Sequence, residues 1–261
     1  MGVLDEIVAH KRSELAVLKP RRPLPELIAA CRGLAPARDF EAALRPAPGE
    51  RVRLIAEVKR GSPSRGLFRA DLDPVAQAGI YAGAGAAAVS VLTDARYFHG
   101  SLDDLVRVRA AVSVPVLRKE FIVDEYQLWE ARAAGADAVL LIVAALEDAA
   151  LRDLLHAAKG TGLATLVEVH TAGELDRALR LGAPVIGVNN RDLQTLTTSL
   201  DPSLRLLPQI PPGPLTVSES GLASGADVEA VVAAGARAVL VGETLLRAAD
   251  VAAKVRELSL R

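Results

Sequence analysis

Glu57 and Lys59 stand two residues apart where the apolar run Leu54, Ile55, Ala56 gives way to Gly61, Ser62, Pro63 and Gly66. The run reads as a strand opening into a turn, and the period of two along a strand points both charges to one face. Opposite charges aimed together from the end of a buried strand make either a site for a charged ligand or a structural ion pair. Other apolar runs end in similar groups. Lys119, Glu120 and Phe121 follow Val114-Pro-Val-Leu, Glu168 and His170 follow Leu163-Ala-Thr-Leu-Val, Asn189, Asn190 and Arg191 follow Val185-Ile-Gly-Val, and Glu219, Ser220 and Gly221 follow Pro214-Leu-Thr-Val-Ser. Polar groups gathered at one end of apolar strands predict a polar mouth with a catalytic or ligand-binding role.

Alternation sorts the members of that mouth. Lys119 and Phe121 share one face while Arg118 and Glu120 share the other, and Leu166, Glu168 and His170 align. With Lys119 pointing inward, Arg118 and Glu120 face the helix layer and are structural. Two later turns, Ser218-Glu-Ser220-Gly221 and Gly242-Glu243-Thr244, the second opening a short helix, offer backbone N–H groups suited to a phosphate dianion. The glycines there also suit plain tight turns. His10 and His156 fall on helices, His99 in a loop, and the four dispersed histidines with one cysteine form no metal-ligand cluster. Trp129 lies on a helix and reads as packing.

The elements that must hold these groups follow from a recurring phrase. Ala82-Gly-Ala-Gly85, Ala134-Gly135-Ala, Leu181-Gly182-Ala and Ala234-Gly235-Ala each close a helix and lead into a buried strand. The marker glycines lie 50, 47 and 53 residues apart, twice what one strand-plus-helix unit needs, so a second set of strands lies between them. That set is 53–58, 114–119, 163–168 and 214–219. Helices fit at 74–84, 101–111, 125–134, 147–160, 172–181, 201–208, 224–234 and 250–258. Eight strands alternating with eight helices predict a (β/α)8 barrel. Residues 1–50 read as a helical extension on a single domain spanning 1–261, with helices over 3–18, ending before Pro20, and 24–32, and a further turn over 39–44. A dinucleotide fold is excluded because Gly83-Ala-Gly85 precedes its strand, and Gly61–Gly66 lacks the lysine of a phosphate loop.

Composition bounds the rest. Half of the 261 residues are hydrophobic but 3% are aromatic, so the core is aliphatic. A net charge of −1 argues against general attraction to nucleic acid or an anionic membrane. The single cysteine, Cys31, in an apolar run, fits a buried structural thiol and a reducing cytoplasm. The chain start lacks a signal peptide's apolar core, and no apolar run reaches membrane-spanning length. There are 25 arginines and only six lysines, and two of those lysines sit at strand ends.

These phrases carry a resemblance. Leu4-Asp-Glu-Ile-Val-Ala-His-Lys-Arg12, Ile55-Ala-Glu-Val-Lys-Arg-Gly-Ser-Pro-Ser64, Ser90-Val-Leu-Thr-Asp94 with Tyr97-Phe-His-Gly-Ser101, Leu117-Arg-Lys-Glu-Phe-Ile122, Leu166-Val-Glu-Val-His170, Ile186-Gly-Val-Asn-Asn-Arg-Asp-Leu193 and Ser218-Glu-Ser-Gly221 are similar to the indole-3-glycerol-phosphate synthase family over nearly the whole chain. The resemblance implies a cofactor-free reaction in which 1-(2-carboxyphenylamino)-1-deoxyribulose 5-phosphate closes a ring, loses carbon dioxide and then water. By the same resemblance Lys119 is the general acid in ring closure and Glu168 the carboxylate that helps remove a proton in dehydration. Lys59 engages the anionic groups of the substrate, Glu57 holds Lys59, and Glu219 positions the lysines. Asn189 and Arg191 contact the sugar hydroxyl and the carboxylate side, and Phe121 walls the aromatic ring. Ser62 and Pro63 belong to a loop that closes over the ligand, while Ser220, Gly221, Gly242 and Glu243 form the phosphate cradle. Which lysine is the acid in dehydration is left open. The partner is then a small anionic sugar phosphate, with a monomer expected. A barrel that binds such a ligand without turning it over is the alternative.

Overall fold

Runs of Val, Leu, Ile and Ala too short for helices form eight parallel strands in the computed structural model, which describes residues 2–62, 66–67, 69–192 and 195–260. They are β1 (Arg53–Val58), β2 (Ala88–Leu92), β3 (Val116–Lys119), β4 (Ala138–Ile142), β5 (Ala164–Val169), β6 (Val185–Asn189), β7 (Leu215–Glu219) and β8 (Ala238–Val241). Each pairs with its neighbours in chain order, and the barrel closes where β8 lies beside β1, with Ala56 opposite Val241. Three helices precede β1: α1 (Val3–Arg21), α2 (Leu24–Cys31) and α3 (Phe40–Ala43). After them come α4 (Pro74–Gly83), α5 (Ala95–Phe98), α6 (Leu102–Ala111), α7 (Glu125–Ala133), α8 (Asp148–Thr161), α9 (Ala172–Arg180), α10 (Asp201–Leu206), α11 (Gly225–Ala233), α12 (Glu243–Arg247) and α13 (Val251–Leu258). Asp73, Ser101, Asp124, Thr171, Ser224 and Asp250 cap helix starts by accepting backbone N–H bonds. The marker glycines 85, 135, 182 and 235 have φ of 100°, 86°, 71° and 117°, the left-handed turn that ends a helix and that glycine enters freely.

Alternation divides the strand residues between two cores. Ile55, Leu117, Leu140, Leu166, Val185, Val217 and Leu240 fill the barrel, with Phe40 and Leu44 packed into the same cluster. Leu54, Val89, Val116, Val139, Val167, Ile186 and Val239 face outward onto helix residues such as Tyr81, Leu105 and Leu128. Fully buried Asp137 ties the chain before β1 to the barrel, accepting from the Arg38 N–H at 2.7 Å, the Val116 N–H at 2.8 Å and the Arg109 Nη2 at 3.1 Å.

Two details differ from the sequence reading. Helix α1 continues to Arg21 with Pro20 inside it. Proline there falls in the last turn, where it forfeits a single bond, and the Arg22 N–H still reaches Leu18 O at 3.0 Å. Cys31 is half-buried, with its Sγ 3.6 Å from Trp129 O, because the short α2 meets α7 only along one side. Burial nevertheless pushes its thiol up, which keeps it unreactive. No helix among the described residues is long and apolar enough to cross a membrane.

Candidate active site

One position above the apolar layer inside the barrel, the inward-facing residues change character. Ile55 is followed by Glu57, Leu117 by Lys119, Leu166 by Glu168, Gly187 by Asn189 and Val217 by Glu219. Parallel registry sets them side by side, with Asn189 opposite Glu219 and Glu168 opposite Gly187. Room for the acids comes from glycine on the next strand: a Cβ at Gly187 would collide with the Glu219 carboxylate, and one at Gly242 with that of Glu57. Gly242 is therefore needed for space, since its φ of −122° is open to other residues.

Lys119 is the centre of the arrangement. Its Nζ donates to Glu219 Oε2 at 2.8 Å and to Glu168 Oε2 at 3.0 Å. Burial disfavours the ammonium, but the carboxylates of Glu168, Glu219 and Glu57 outweigh it and hold Lys119 well above the ordinary lysine value. One cation cannot satisfy both flanking acids. Burial opposes the charge on Glu168, yet Lys119, His170 and a hydrogen bond with Asn189 bring it down to about 2. Burial together with the charges of Glu168 and Glu57 pushes Glu219 up to about 7 against the pull of Lys119. Glu219 Oε1 also has no hydrogen-bond partner among the described residues. Beside this trio Lys59 Nζ pairs with Glu57 Oε1 at 2.7 Å.

These groups open into a cavity of about 380 Å³. It is lined by Glu57, Lys59, Lys119, Phe121, Glu168, Asn189 and Arg191 and, across the mouth, by Ser220, Gly221, Gly242 and Glu243. Glu219 lies just beneath the lining as the second partner of Lys119. Arg191 reaches the rim from β6, its guanidinium donating to Leu196 O at 3.0 Å and its backbone N–H to Asn189 Oδ1 at 3.0 Å. Ser220 and Gly221 are both left-handed, with φ of 68° and 78°, a strained state for serine that costs about 1–3 kcal/mol and is concentrated at functional turns. Asn190 holds the turn by donating to Ser220 O at 3.0 Å and Ser218 Oγ at 3.1 Å. At the N-terminus of α12, Gly242 and Glu243 present their backbone across from that turn.

The side chains of Arg118 and Glu120 turn to partners outside the barrel, as alternation predicts, although Glu120 still borders the cavity. Arg118 pairs with Glu130 at 2.7 Å, and Glu120 accepts from Thr93 Oγ1 at 2.8 Å. Ser62 lies on a small hairpin, opposite Gly66, outside the residues lining the cavity, and Pro63 lies outside the described residues. Asn190, read with Asn189 and Arg191 as part of the polar mouth, fixes the Ser220 turn. Two contributors were not anticipated: Phe98 of α5 lines the cavity and meets Phe121 with ring centroids 5.9 Å apart, and Lys11 of α1 supports Glu120. Phe98 could have been suspected from its place after a barrel strand, whereas Lys11 sits in an amphipathic pattern that gives no hint of its partners. No group of three or more His, Cys, Asp or Glu side chains among the described residues could hold a metal ion.

The chain has known relatives. Residues 4–258 match the family model described as indole-3-glycerol phosphate synthase. An indole-3-glycerol phosphate synthase of Chlorobium chlorochromatii is 50% identical over 245 residues, 94% of this chain and 95% of the relative. That of Laribacter hongkongensis is 50% identical over 258 residues, 98% of each. Among solved structures, 3-hexulose-6-phosphate synthase superposes with a TM-score of 0.64 at 19% identity, covering 80% of this chain and 99% of that one, a likeness of fold alone. Half-identity along nearly the full length, with the acids and bases of the mouth on the strands that the family phrases occupy, makes this chain a member of the indole-3-glycerol phosphate synthase family.

Proposed function

We propose that the cavity is where 1-(2-carboxyphenylamino)-1-deoxyribulose 5-phosphate becomes indole-3-glycerol phosphate, by proton transfer in a carboxy-lyase that uses no cofactor. The observation that carries this reading is the ammonium of Lys119 held between Glu168 and Glu219 at the floor of a cavity that sets apolar walls such as Phe121 beside charged groups such as Lys59 and Arg191. Attack of the aromatic carbon on the ketone places negative charge on its oxygen, and Lys119 donates a proton there. Departure of carbon dioxide returns its bonding pair to the ring. Once Lys119 has regained a proton from solvent and again holds Glu168 ionised, Glu168 takes a proton from the methylene next to nitrogen as the hydroxyl leaves as water with a proton from one of the two lysines. Glu57 aims Lys59 at the anionic groups of the substrate, Asn189 and Arg191 receive the sugar hydroxyl and the carboxylate side, and Phe121 with Phe98 walls the aromatic ring. Ser220, Gly221, Gly242 and Glu243 cradle the phosphate, and Ser62, after β1, closes over it.

We take the monomer as the active unit, a single domain of residues 1–261 with a helical extension over 1–50. Its one cysteine fits a reducing cytoplasm. The test adds purified protein to the carboxyphenylamino-deoxyribulose phosphate with EDTA and follows indole fluorescence. Saturable product formation is expected. Tight binding without product would instead make the chain a silent sugar-phosphate binder.

A further inference from the structure

β5 carries one group that this scheme does not use. His170 follows Glu168 by two residues and faces the same way, with its Nε2 3.5 Å from Glu168 Oε1 and without a hydrogen-bond partner among the described residues. The opposite ring nitrogen, Nδ1, lies 3.2 Å from Glu174 Oε2, which also accepts the backbone N–H of His170 at 2.7 Å. Glu174 is itself fixed in the first turn of α9, where its Oε1 accepts from the Thr171 hydroxyl at 3.1 Å. The imidazole thus bridges two carboxylates, one anchored and one at the reaction centre. Glu168 is divided in the same way, with Oε2 on Lys119 and Oε1 toward His170. His170 and Glu174 also wall a second cavity of about 910 Å³, which shares Asn189 and Arg191 with the first.

We propose that His170 is a positioning residue for Glu168: Glu174 locks its ring so that an Nε2–H grips Oε1 and leaves Oε2 to work against Lys119 and the substrate. This rests on the role assigned to Glu168 above. Glu174 takes an N–H at Nδ1, so only the doubly protonated ring has a second N–H for Glu168; the neutral ring turns a lone pair toward its oxygen. Burial alone would favour the neutral ring, but Glu174, Glu168 and Glu219 reverse this and raise the His170 value. The other charges lining the second cavity with the ring are Arg191 on the shared wall and Asp5 of α1, Asp192, Asp201 and Arg205. As pH rises through the raised value the grip is lost, so turnover falls on the alkaline side.

The experiment compares kcat, KM and pH profiles for the parent, His170→Ala and His170→Gln, with melting temperatures as a folding control. His170→Ala should lower kcat about 10- to 100-fold with KM changed less than about threefold. His170→Gln, whose amide N–H2 stands near Nε2 and does not titrate, should recover most of kcat and lose the alkaline fall assigned to His170. Parent kcat and profile in His170→Ala would overturn the proposal, as would a Gln variant that recovers no turnover or keeps that alkaline fall. Glu168→Gln separates the two readings. If it turns over normally, the role of Glu168 itself is wrong; if it is impaired while His170→Ala is not, only the role of His170 is.

Discussion

Lys119 joins two carboxylates that arrive from strands far apart in the chain, and its removal tests the site most directly. Lys119→Met should cut turnover by about 10²- to 10⁴-fold, the range of a lost general acid, while product still binds. Unchanged turnover in a rapid-mixing assay would discard Lys119 as the acid. Glu219 allows a test by pH. Because its folded value is raised to about 7, its contribution to stability is complete below the ordinary carboxylate range and is lost as pH rises through about 7. Glu219→Gln removes that titration, so its melting temperature relative to the parent should climb between about pH 5 and about pH 8. A difference that stays level with pH would show that Glu219 is not the strained acid of the pair. Lys119, Glu168 and Glu219 were legible as polar residues at the ends of apolar strands, and alternation put Lys119 on the face of Phe121 and Glu168 on that of His170. Which acid keeps its proton was not legible, because the answer depends on distances across the barrel between β3, β5 and β7.

At the scale of elements, the helices and loops outside the barrel were the hardest to read. Lys11 lies on the inner face of α1, only 5% exposed, with Nζ 2.6 Å from Glu14, 2.9 Å from Asp94 and 3.2 Å from Glu120. Its partners come from the turns after β2 and β3, so one ammonium fastens the extension beside Lys119 and Phe121. Lys11→Met leaves buried Asp94 without its cation and Glu120 with only Arg118, 3.8 Å away, and should cost about 3–5 kcal/mol in urea unfolding. A loss below about 1 kcal/mol would mean that α1 is only loosely held. Helix α5 is too short to show any periodicity. Asp94 starts it by accepting the Tyr97 N–H at 2.6 Å, and Gly100 closes it where a Cβ would strike Leu92 O, which delivers Phe98 to the cavity. The elements of the barrel were legible because eight similar units repeat one pattern; α5 occurs once, and the partners of Lys11 are distant in sequence.

The whole molecule separates stability from chemistry along the barrel axis. The acids and bases of the mouth occupy the C-terminal ends of the strands, whereas Asp137, just before β4, joins the Arg38 segment, Arg109 and Val116 at the opposite end. Asp137→Ala should therefore lower stability by about 3–5 kcal/mol while leaving kcat of the folded enzyme within about twofold. A large fall in kcat for the folded variant would show that the two ends are coupled. The sequence by itself determined the barrel and the composition of its mouth, since alternation, glycine stops and the apolar-to-polar switch at strand ends are local patterns recorded residue by residue. Only the tertiary structure decided which charges meet. Closing the barrel sets Lys119 between Glu168 and Glu219, aims His170 at Glu168, and makes Gly187 and Gly242 the space that buried acids on neighbouring strands require. Electrostatic energies depend on those through-space separations and on shared burial, and neither is written in the spacing of residues along one strand.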